Sequence, residues 1–323
     1  MNPVISVVIP NWNGEDVIGD CLESLRKQTF RNFEMIVVDN GSSDSSLDLI
    51  KTKYPEVKVI SLSENKGFCI AVNTGIKYSQ GEFIAILNND TEVVTNWLEE
   101  LYMAFENHPE ISFCSSKMLY HEQRDKINTV GIKIKRNGDS SSIGTGQPDG
   151  PRFEKEGEVF GACAGAAVYR KRLFDDIGLF DESFFAYLDD VDLSYRAQLS
   201  GHRCLFVPKA IVYHKKGYSL KRHDSPNELE VLLNSRNSVY CLLKNWPTNL
   251  ILKNLHWILL RRLELAVRYT IQRIHKGTAI PFIKGKLDAY KNIGNIFKKR
   301  KEILSQKKVP DSYIASIMNK EFF

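Results

Sequence analysis

The chain has 323 residues, 43% apolar and 26% charged, which excludes a disordered chain and allows one large α/β domain with an accessory segment. Six scattered cysteines with no C-x-x-C pair exclude a disulfide framework and a thiolate zinc site, and fit a reducing cytosol. The net charge of +5 is uneven: residues 249–310 carry 15 Lys and Arg against 3 Asp and Glu, +12 locally, which leaves −7 on everything else.

Met1-Asn-Pro leads straight into an apolar segment, too short and uncharged for a signal peptide, and no apolar run reaches the roughly 18–20 residues of a spanning helix. Residues 5–9 read as a strand closed by Pro10-Asn-Trp-Asn-Gly14. Val17, Ile18, Cys21, Leu22 and Leu25 then recur at helical spacing. Residues 33–38 form a second strand ending in Asp39-Asn-Gly-Ser-Ser-Asp44, which is turn and cap chemistry. Residues 57–62 make a third, followed by Asn65-Lys-Gly-Phe68 and a helix through Ile76. Residues 83–87 are a fourth, ending on Asn88-Asn-Asp90, with a helix over 97–107. This alternation predicts an α/β fold with a mostly parallel sheet and right-handed crossovers.

After residues 111–115 the rhythm breaks. Residues 137–158 are rich in Gly, Ser, Asp and Pro without an apolar period, the pattern of a mobile lid or a disordered insertion. Order resumes at Val159. A helix follows from Asp190 to about Leu199, stopped by Gly201, and then a strand-like run that ends on His214. From Glu228 onward the pattern is helical with interruptions at Pro247 and Pro281, and the domain boundary is placed near Ser235.

Asp90 ends an apolar strand, and open α/β sheets bind their ligands at that carboxyl edge. The plainer role for it is to start a turn. Asn88-Asn89-Asp90 offers hard oxygen donors of the kind Mg²⁺ and Mn²⁺ take alongside substrate phosphates. Asp39 suits a hydrogen bond from a nucleobase imide or ribose hydroxyl, or a turn cap. Trp12 suits a stacked base or a half-buried rim. Asp189, Asp190 and Asp192 open a helix, where acids favour the dipole. Asp192 and Arg196 stand four apart and suit an ion pair. Adjacent Asp189 and Asp190 repel, so at least one should face the cleft, where a carboxylate can act as general base. His214 is a metal ligand or a satisfied structural histidine.

Seven motifs carry a family likeness, in order over residues 4–214. They are Ser6-Val-Val-Ile-Pro-Asn-Trp-Asn13, Ile36-Val-Val-Asp-Asn-Gly-Ser-Ser-Asp44, Asn65-Lys-Gly-Phe68 with Asn73-Thr-Gly75, and Leu87-Asn-Asn-Asp90. Gly178-Leu-Phe-Asp-Glu-Ser-Phe-Phe185, Tyr187-Leu-Asp-Asp-Val-Asp-Leu193 with Arg196, and Val207-Pro-Lys-Ala-Ile-Val-Tyr-His214 complete the set. The chain resembles family-2 glycosyltransferases of the GT-A fold, especially bacterial rhamnosyl- and galactofuranosyl-transferases.

The resemblance implies a catalytic domain over 1–235, with a nucleotide-sugar half to about 115 and an acceptor half from 116, and a basic helical segment over 236–323. It places Pro10, Trp12, Asp39, Asn65, Lys66, Asn88 and Asn89 at the donor nucleotide, and Asp90 and His214 at Mg²⁺ or Mn²⁺. Asp190 falls on the general base of an inverting transfer. One departure is visible: two of the three metal-motif positions are amides. The implied reaction moves a sugar, L-rhamnose from a dTDP donor first, to a glycan or lipid-linked acceptor in bacterial cell-surface polysaccharide synthesis. Another hexose from a UDP donor is the alternative. Two rivals are a nucleotidyltransferase, which expects a basic Gly-rich loop where Pro10-Asn-Trp-Asn-Gly14 stands, and a catalytically inactive glycan-binding scaffold.

Along 250–275, Lys253, Arg261, Glu264, Arg268, Gln272 and His275 form a polar stripe beside apolar Ile251, Leu255, Ile258, Leu259, Leu263, Ala266, Tyr269 and Ile274. Two roles are open to it: a helix packed on the body or joining copies of the chain, and an in-plane helix on the inner face of an anionic membrane. Nucleic acid is set aside, because no recognition motif accompanies the charge.

Overall fold

In the computed structural model of the protein, the described residues are 2–215, 228–271 and 279–318. The amino-terminal half alternates β1 (Ile5–Asn11), α1 (Ile18–Arg26), β2 (Phe33–Asp39), α2 (Ser46–Lys53), β3 (Lys58–Ser61), α3 (Phe68–Tyr78) and β4 (Phe83–Leu87). Next come β5 (Thr91–Val93), α4 (Trp97–Asn107), β6 (Ile111–Tyr120), β7 (Ile127–Thr129), β8 (Ile132–Ile134), β9 (Ser140–Ser142), β10 (Gly157–Val159) and β11 (Ala166–Arg170). The half closes with α5 (Lys171–Ile177), α6 (Asp189–Leu199) and β12 (Arg203–His214).

The main sheet runs β10-β12-β6-β11-β4-β1-β2-β3, with β5 added to β12 and β7 to β6. Strands β4, β1, β2 and β3 are parallel, as the alternation predicts. Antiparallel β11 then joins β4 to β6, and β6 and β12 are again parallel. Both faces are apolar because both are covered: Val7 and Ile9 face the cluster holding Leu22 and Trp97, while Val8 faces the one holding Val72 and Tyr169. Residues 137–158, expected to be irregular, contain ordered elements instead. β9 pairs as a hairpin with the preceding β8, whose Ile132 and Ile134 are buried, and within the segment Ile143 and Phe153 are buried in the core. Those few apolar anchors hold a segment whose composition otherwise reads as loop.

The carboxy-terminal part is helical: Glu228–Asn245, Thr248–Lys253, Leu255–Ile271, Ala279–Lys291, Ile293–Ser305 and Asp311–Ile317. Pro247 precedes a helix, as expected. Pro281 does not break one: it lies in the first turn, where a missing N–H costs nothing. The expected boundary at Ser235 falls inside the Glu228–Asn245 helix, which docks on the body. Asn237 is fully buried, its amide nitrogen 3.1, 2.8 and 2.7 Å from the carbonyls of Phe184, Ala186 and Tyr187. Ala279–Lys291 presses against this helix at Gly285, where a Cβ would sit 2.3 Å from the Leu232 carbonyl oxygen.

Asp192 pairs with Arg196 at 3.0 Å, the contact that the i,i+4 spacing predicts. It also takes Lys244 at 2.7 Å and the Asn245 amide at 2.8 Å, and it is wholly buried. Breaking a buried pair leaves its partner desolvated and uncompensated, a loss of about 3–5 kcal/mol. Asp192→Asn should therefore lower stability by about 3 kcal/mol in urea unfolding and change turnover little. A loss under about 0.5 kcal/mol would show that Arg196 and Lys244 are satisfied without it.

Candidate active site

Three side chains meet at the carboxyl edge of β1, β2 and β4. The register pairs Asn11 with Asp39, so both project from strand ends at the same level. The Asn11 amide donates to Asp39 Oδ1 at 3.1 Å, and its oxygen accepts from Asn89 at 2.7 Å. Asp39 Oδ2 accepts from the Ser42 N–H at 3.1 Å. Asn11 thus ties the second strand to the fourth, a role its place inside a longer motif did not reveal. The usable signal was a polar residue closing an apolar strand at the level of two others. Trp12, next along, is 48% exposed over this edge, and Pro10 is partly buried beside it.

Asn65 accepts from the Asn40 amide and from the Gly67 N–H, both at 3.0 Å, while Lys66 leaves its side chain exposed. Gly67 is required here: its φ is +89°, and a Cβ would lie 2.6 Å from Phe185. This contact joins the Asn65–Lys66 loop to the segment leading into α6.

Asp90 and His214, 124 positions apart in sequence, meet because β5 pairs antiparallel with the end of β12, setting His214 opposite Thr91. His214 Nε2 stands 3.3 Å from Asp90 Oδ1, and its Nδ1 stands 3.3 Å from Asn128 Oδ1. Asp90 Oδ1 is buried and has no hydrogen-bond partner among the described residues. A buried carboxylate oxygen left bare beside an imidazole fits a divalent cation. No group of three His, Cys, Asp or Glu side chains gathers among the described residues. The donor set therefore fits Mg²⁺ or Mn²⁺ completed by substrate phosphates and water, and does not fit a closed zinc site. A cavity of about 600 Å³ opens against His214.

Asp190 sits at the start of α6, partly buried, its carboxylate accepting from Val191 N–H at 2.8 Å and Ala164 N–H at 3.3 Å. Gly165, next to Ala164, accepts from the Asn88 N–H at 2.9 Å, so one loop links Asp190 to the Asn88–Asp90 turn. Asp189 is buried instead, which leaves Asp190 as the one of the two that keeps solvent access. Burial raises both carboxyls above the usual carboxylate range, and at Asp189 the neighbouring Asp190 adds repulsion. Phe185, Tyr187 and Leu188, just before them, all have positive φ (64°, 67° and 61°). Such backbone costs roughly 1–3 kcal/mol per residue and persists only where surroundings impose it. Asn237 imposes it here, through three of this segment's carbonyls.

Residues 6–178 match the family described as "Glycosyl transferase family 2". A poly(ribitol-phosphate) beta-glucosyltransferase of Bacillus spizizenii is 40% identical over 146 residues, 40% of this chain and 23% of that protein. Among solved structures, GalNAc-T7 with UDP, GalNAc and Mn²⁺ superposes with a TM-score of 0.60 at 18% identity, covering 77% of this chain and 49% of that one. S. aureus TarS 1–349 superposes with a TM-score of 0.53 at 18% identity, covering 98% and 92%. At those identities the structures show the fold alone, the GT-A α/β architecture. The chain spans only 19% to 58% of the length of the curated relatives it matches. The family match covers more than half of the residues and contains the strand ends that hold Asn11, Asp39 and Asp90, so this chain belongs to glycosyl transferase family 2.

Proposed function

We propose that the chain transfers a sugar, with inversion, from a nucleoside-diphosphate donor to a glycan or lipid-linked acceptor in bacterial cell-surface polysaccharide synthesis. The observation that carries it is the bare, buried Asp90 carboxylate beside His214, on the sheet edge that also holds Asp39 and Asn89. Trp12 stacks the base, Pro10 shapes its pocket, and Asp39 accepts from the base or ribose with the lone pairs its internal bonds leave free. Asn65, Asn88 and Asn89 line the nucleotide, and Lys66 offsets phosphate charge. Asp90 and His214 would hold Mg²⁺ or Mn²⁺ with the diphosphate. That ion supplies compensation for charge building on the leaving group. Asp190 takes the proton from the acceptor hydroxyl, whose oxygen bonds to the anomeric carbon as the bond to the diphosphate breaks on the opposite face.

Rhamnose from a dTDP donor is the first sugar to test, from the likeness to that branch. A UDP-hexose is the second, because the Bacillus spizizenii relative is a beta-glucosyltransferase and the GalNAc-T7 structure holds UDP and GalNAc. Thermal-shift titration with dTDP- and UDP-sugars, with and without Mn²⁺, tests both. Stabilisation by one nucleotide class only when Mn²⁺ is present is expected. Stabilisation by none would favour an inactive glycan-binding scaffold.

The division into a catalytic body (1–235) and a basic segment (236–323) belongs to this proposal, with Glu228–Asn245 as the helix that joins them. No helix among the described residues is long and apolar enough to cross a membrane. Ile258 packs inward, but Leu259, Leu263, Ile280, Ile283, Leu287 and Phe297 are exposed at 50% or more. Of the predicted stripe, Arg261 turns to Asp139 at 2.5 Å, while Gln272, Ile274 and His275 lie outside the described residues. Exposed apolar area among Lys and Arg suits peripheral binding to an anionic leaflet, each cation contributing on the order of 1 kcal/mol. The intact chain should sediment with phosphatidylglycerol vesicles, less so at high salt, and hardly with neutral ones. Equal, negligible sedimentation with both would assign that surface to self-association or packing.

A further inference from the structure

A second cavity, of about 240 Å³, lies between the start of α6, the β8–β9 turn and the carboxy-terminal helices. We propose that it is an anion subsite that takes a phosphate or diphosphate group of the acceptor. The word acceptor rests on the transfer reading above; the anion chemistry does not.

Arg262 reaches the cavity from the Leu255–Ile271 helix. Its Nη2 is buried without a hydrogen-bond partner among the described residues, and Nη1 has a long contact, 3.5 Å, with Ser238 Oγ. A guanidinium donor left bare in a protein interior costs about 1–3 kcal/mol, and more when charged, so its retention calls for an anion. Lys286 comes from Ala279–Lys291 and bonds the Ser235 carbonyl at 2.8 Å and Ser238 Oγ at 3.0 Å, both neutral groups. Arg261 is the third cation in the wall. Asp139, the one carboxylate among the lining residues, is already engaged by Arg261 at 2.5 Å. Arg261 is also held by Glu264 at 2.8 Å, so the charge left facing the space comes from Arg262 and, when protonated, Lys286: up to two positive charges, the complement of a phosphate dianion or diphosphate. A guanidinium fork, an ammonium and serine hydroxyls converging on one space is phosphate-binding chemistry. Carboxylate ligands would leave part of that charge unmatched.

The position ties the cavity to the transfer. Leu188 and Val191 line it, and between them in sequence stand Asp189 and Asp190. A phosphate held here lies against the start of α6, the element that carries the general base. The bound group would also change a proton. Burial and the adjacent Arg262 push the Lys286 ammonium down to about 7, against a smaller upward pull from Asp139. The other titratable residues lining the cavity are Arg261 beside Arg262, Cys241 on Glu228–Asn245 and Tyr195 on α6. An anion favours the charged Lys286, so binding takes up a proton and weakens as pH rises above about 7.

Calorimetric titration of the intact chain with inorganic pyrophosphate, in chelator so that the Asp90–His214 pair contributes no metal site, reads this directly. Wild type and Asp90→Ala should bind alike, and more weakly at pH 8 than at pH 6.5. Arg262→Gln should lose at least tenfold, Arg262→Lys less, and Lys286→Met should lose the pH dependence. Melting temperatures identify any variant that fails to fold, and the milder Arg262→Lys keeps the test open in that case. Phosphatidic acid vesicles as competitor distinguish a lipid phosphate, which displaces pyrophosphate, from a phosphate on a soluble glycan, which vesicles leave in place. Equal affinity in wild type and folded Arg262→Gln, or no binding by wild type, overturns the subsite. UDP with Mn²⁺ is titrated in parallel. Loss of UDP binding with Arg262-dependent pyrophosphate binding intact would sink the transfer reading and leave the subsite standing.

Discussion

Asp190→Asn should cut turnover by about 10²–10⁴-fold while donor affinity stays near wild type. The amide preserves shape and can still accept a backbone hydrogen bond, but it cannot take the acceptor's proton. The variant should not unfold. A carboxyl whose pKa is raised in the folded state destabilises that state at neutral pH, so removing its charge offsets the bonds lost to Ala164 and Val191. The pH profile supplies a second signature. Catalysis needs the carboxylate, so kcat/KM in wild type should fall as pH drops through a value above the ordinary carboxylate range. The Asn variant should lack that limb. A variant with near-normal turnover would remove Asp190 from the chemistry.

Asp90→Ala should abolish turnover and, with it, the part of nucleotide affinity that depends on Mg²⁺ or Mn²⁺. Its Oδ1 is the one buried carboxylate oxygen without a hydrogen bond among the described residues, and His214 alone is a poor anchor for a hard cation. His214→Ala should be milder, because Asp90 and the diphosphate still hold the ion, and should raise the Mn²⁺ concentration needed for half-maximal rate by about 10–100-fold. Full wild-type activity in excess chelator would end the metal proposal.

Much of the nucleotide half was legible because its signals are local. The strand over 83–87 and the helix over 97–107 have the bounds that their apolar patterns predict, and Asp90 and His214 each announced themselves by ending an apolar run. Long-range pairing was not legible. The strand Ala166–Arg170 is short, carries two alanines, and is a strand only because β4 and β6 offer edges on both sides. The ordering of residues 137–158 depends on Ile143 and Phe153 finding the core and on pairing with β8 just before them, which no local period reports. The clasp of the carboxy-terminal helices was invisible for a different reason. Asn237 acts on backbone carbonyls, and a carbonyl carries no sequence signature. The charge excess of the tail pointed outward to a partner, whereas Lys244 and Lys299 point inward, each 2.5 Å from Asp181. Burial works to raise that carboxyl, but the two ammoniums outweigh it and hold it below the usual carboxylate range. The stability it lends is complete above the unfolded carboxylate value and fades only as pH falls through the lower, folded one.

The clasp at Asn237 sets a rule for anyone recombining such enzymes. Exchanging carboxy-terminal segments between relatives is the obvious route to a new acceptor, and the edge of the family match suggests crossing over soon after residue 178. A hybrid joined there would keep the turn and its Asn237 clasp together, but one joined at Ser235 would set a foreign side chain opposite the left-handed backbone at Phe185, Tyr187 and Leu188. That turn would relax, and Asp190 would swing with it. The seam belongs before Phe184 or after Asn245, where the helix and the turn it holds travel as one piece.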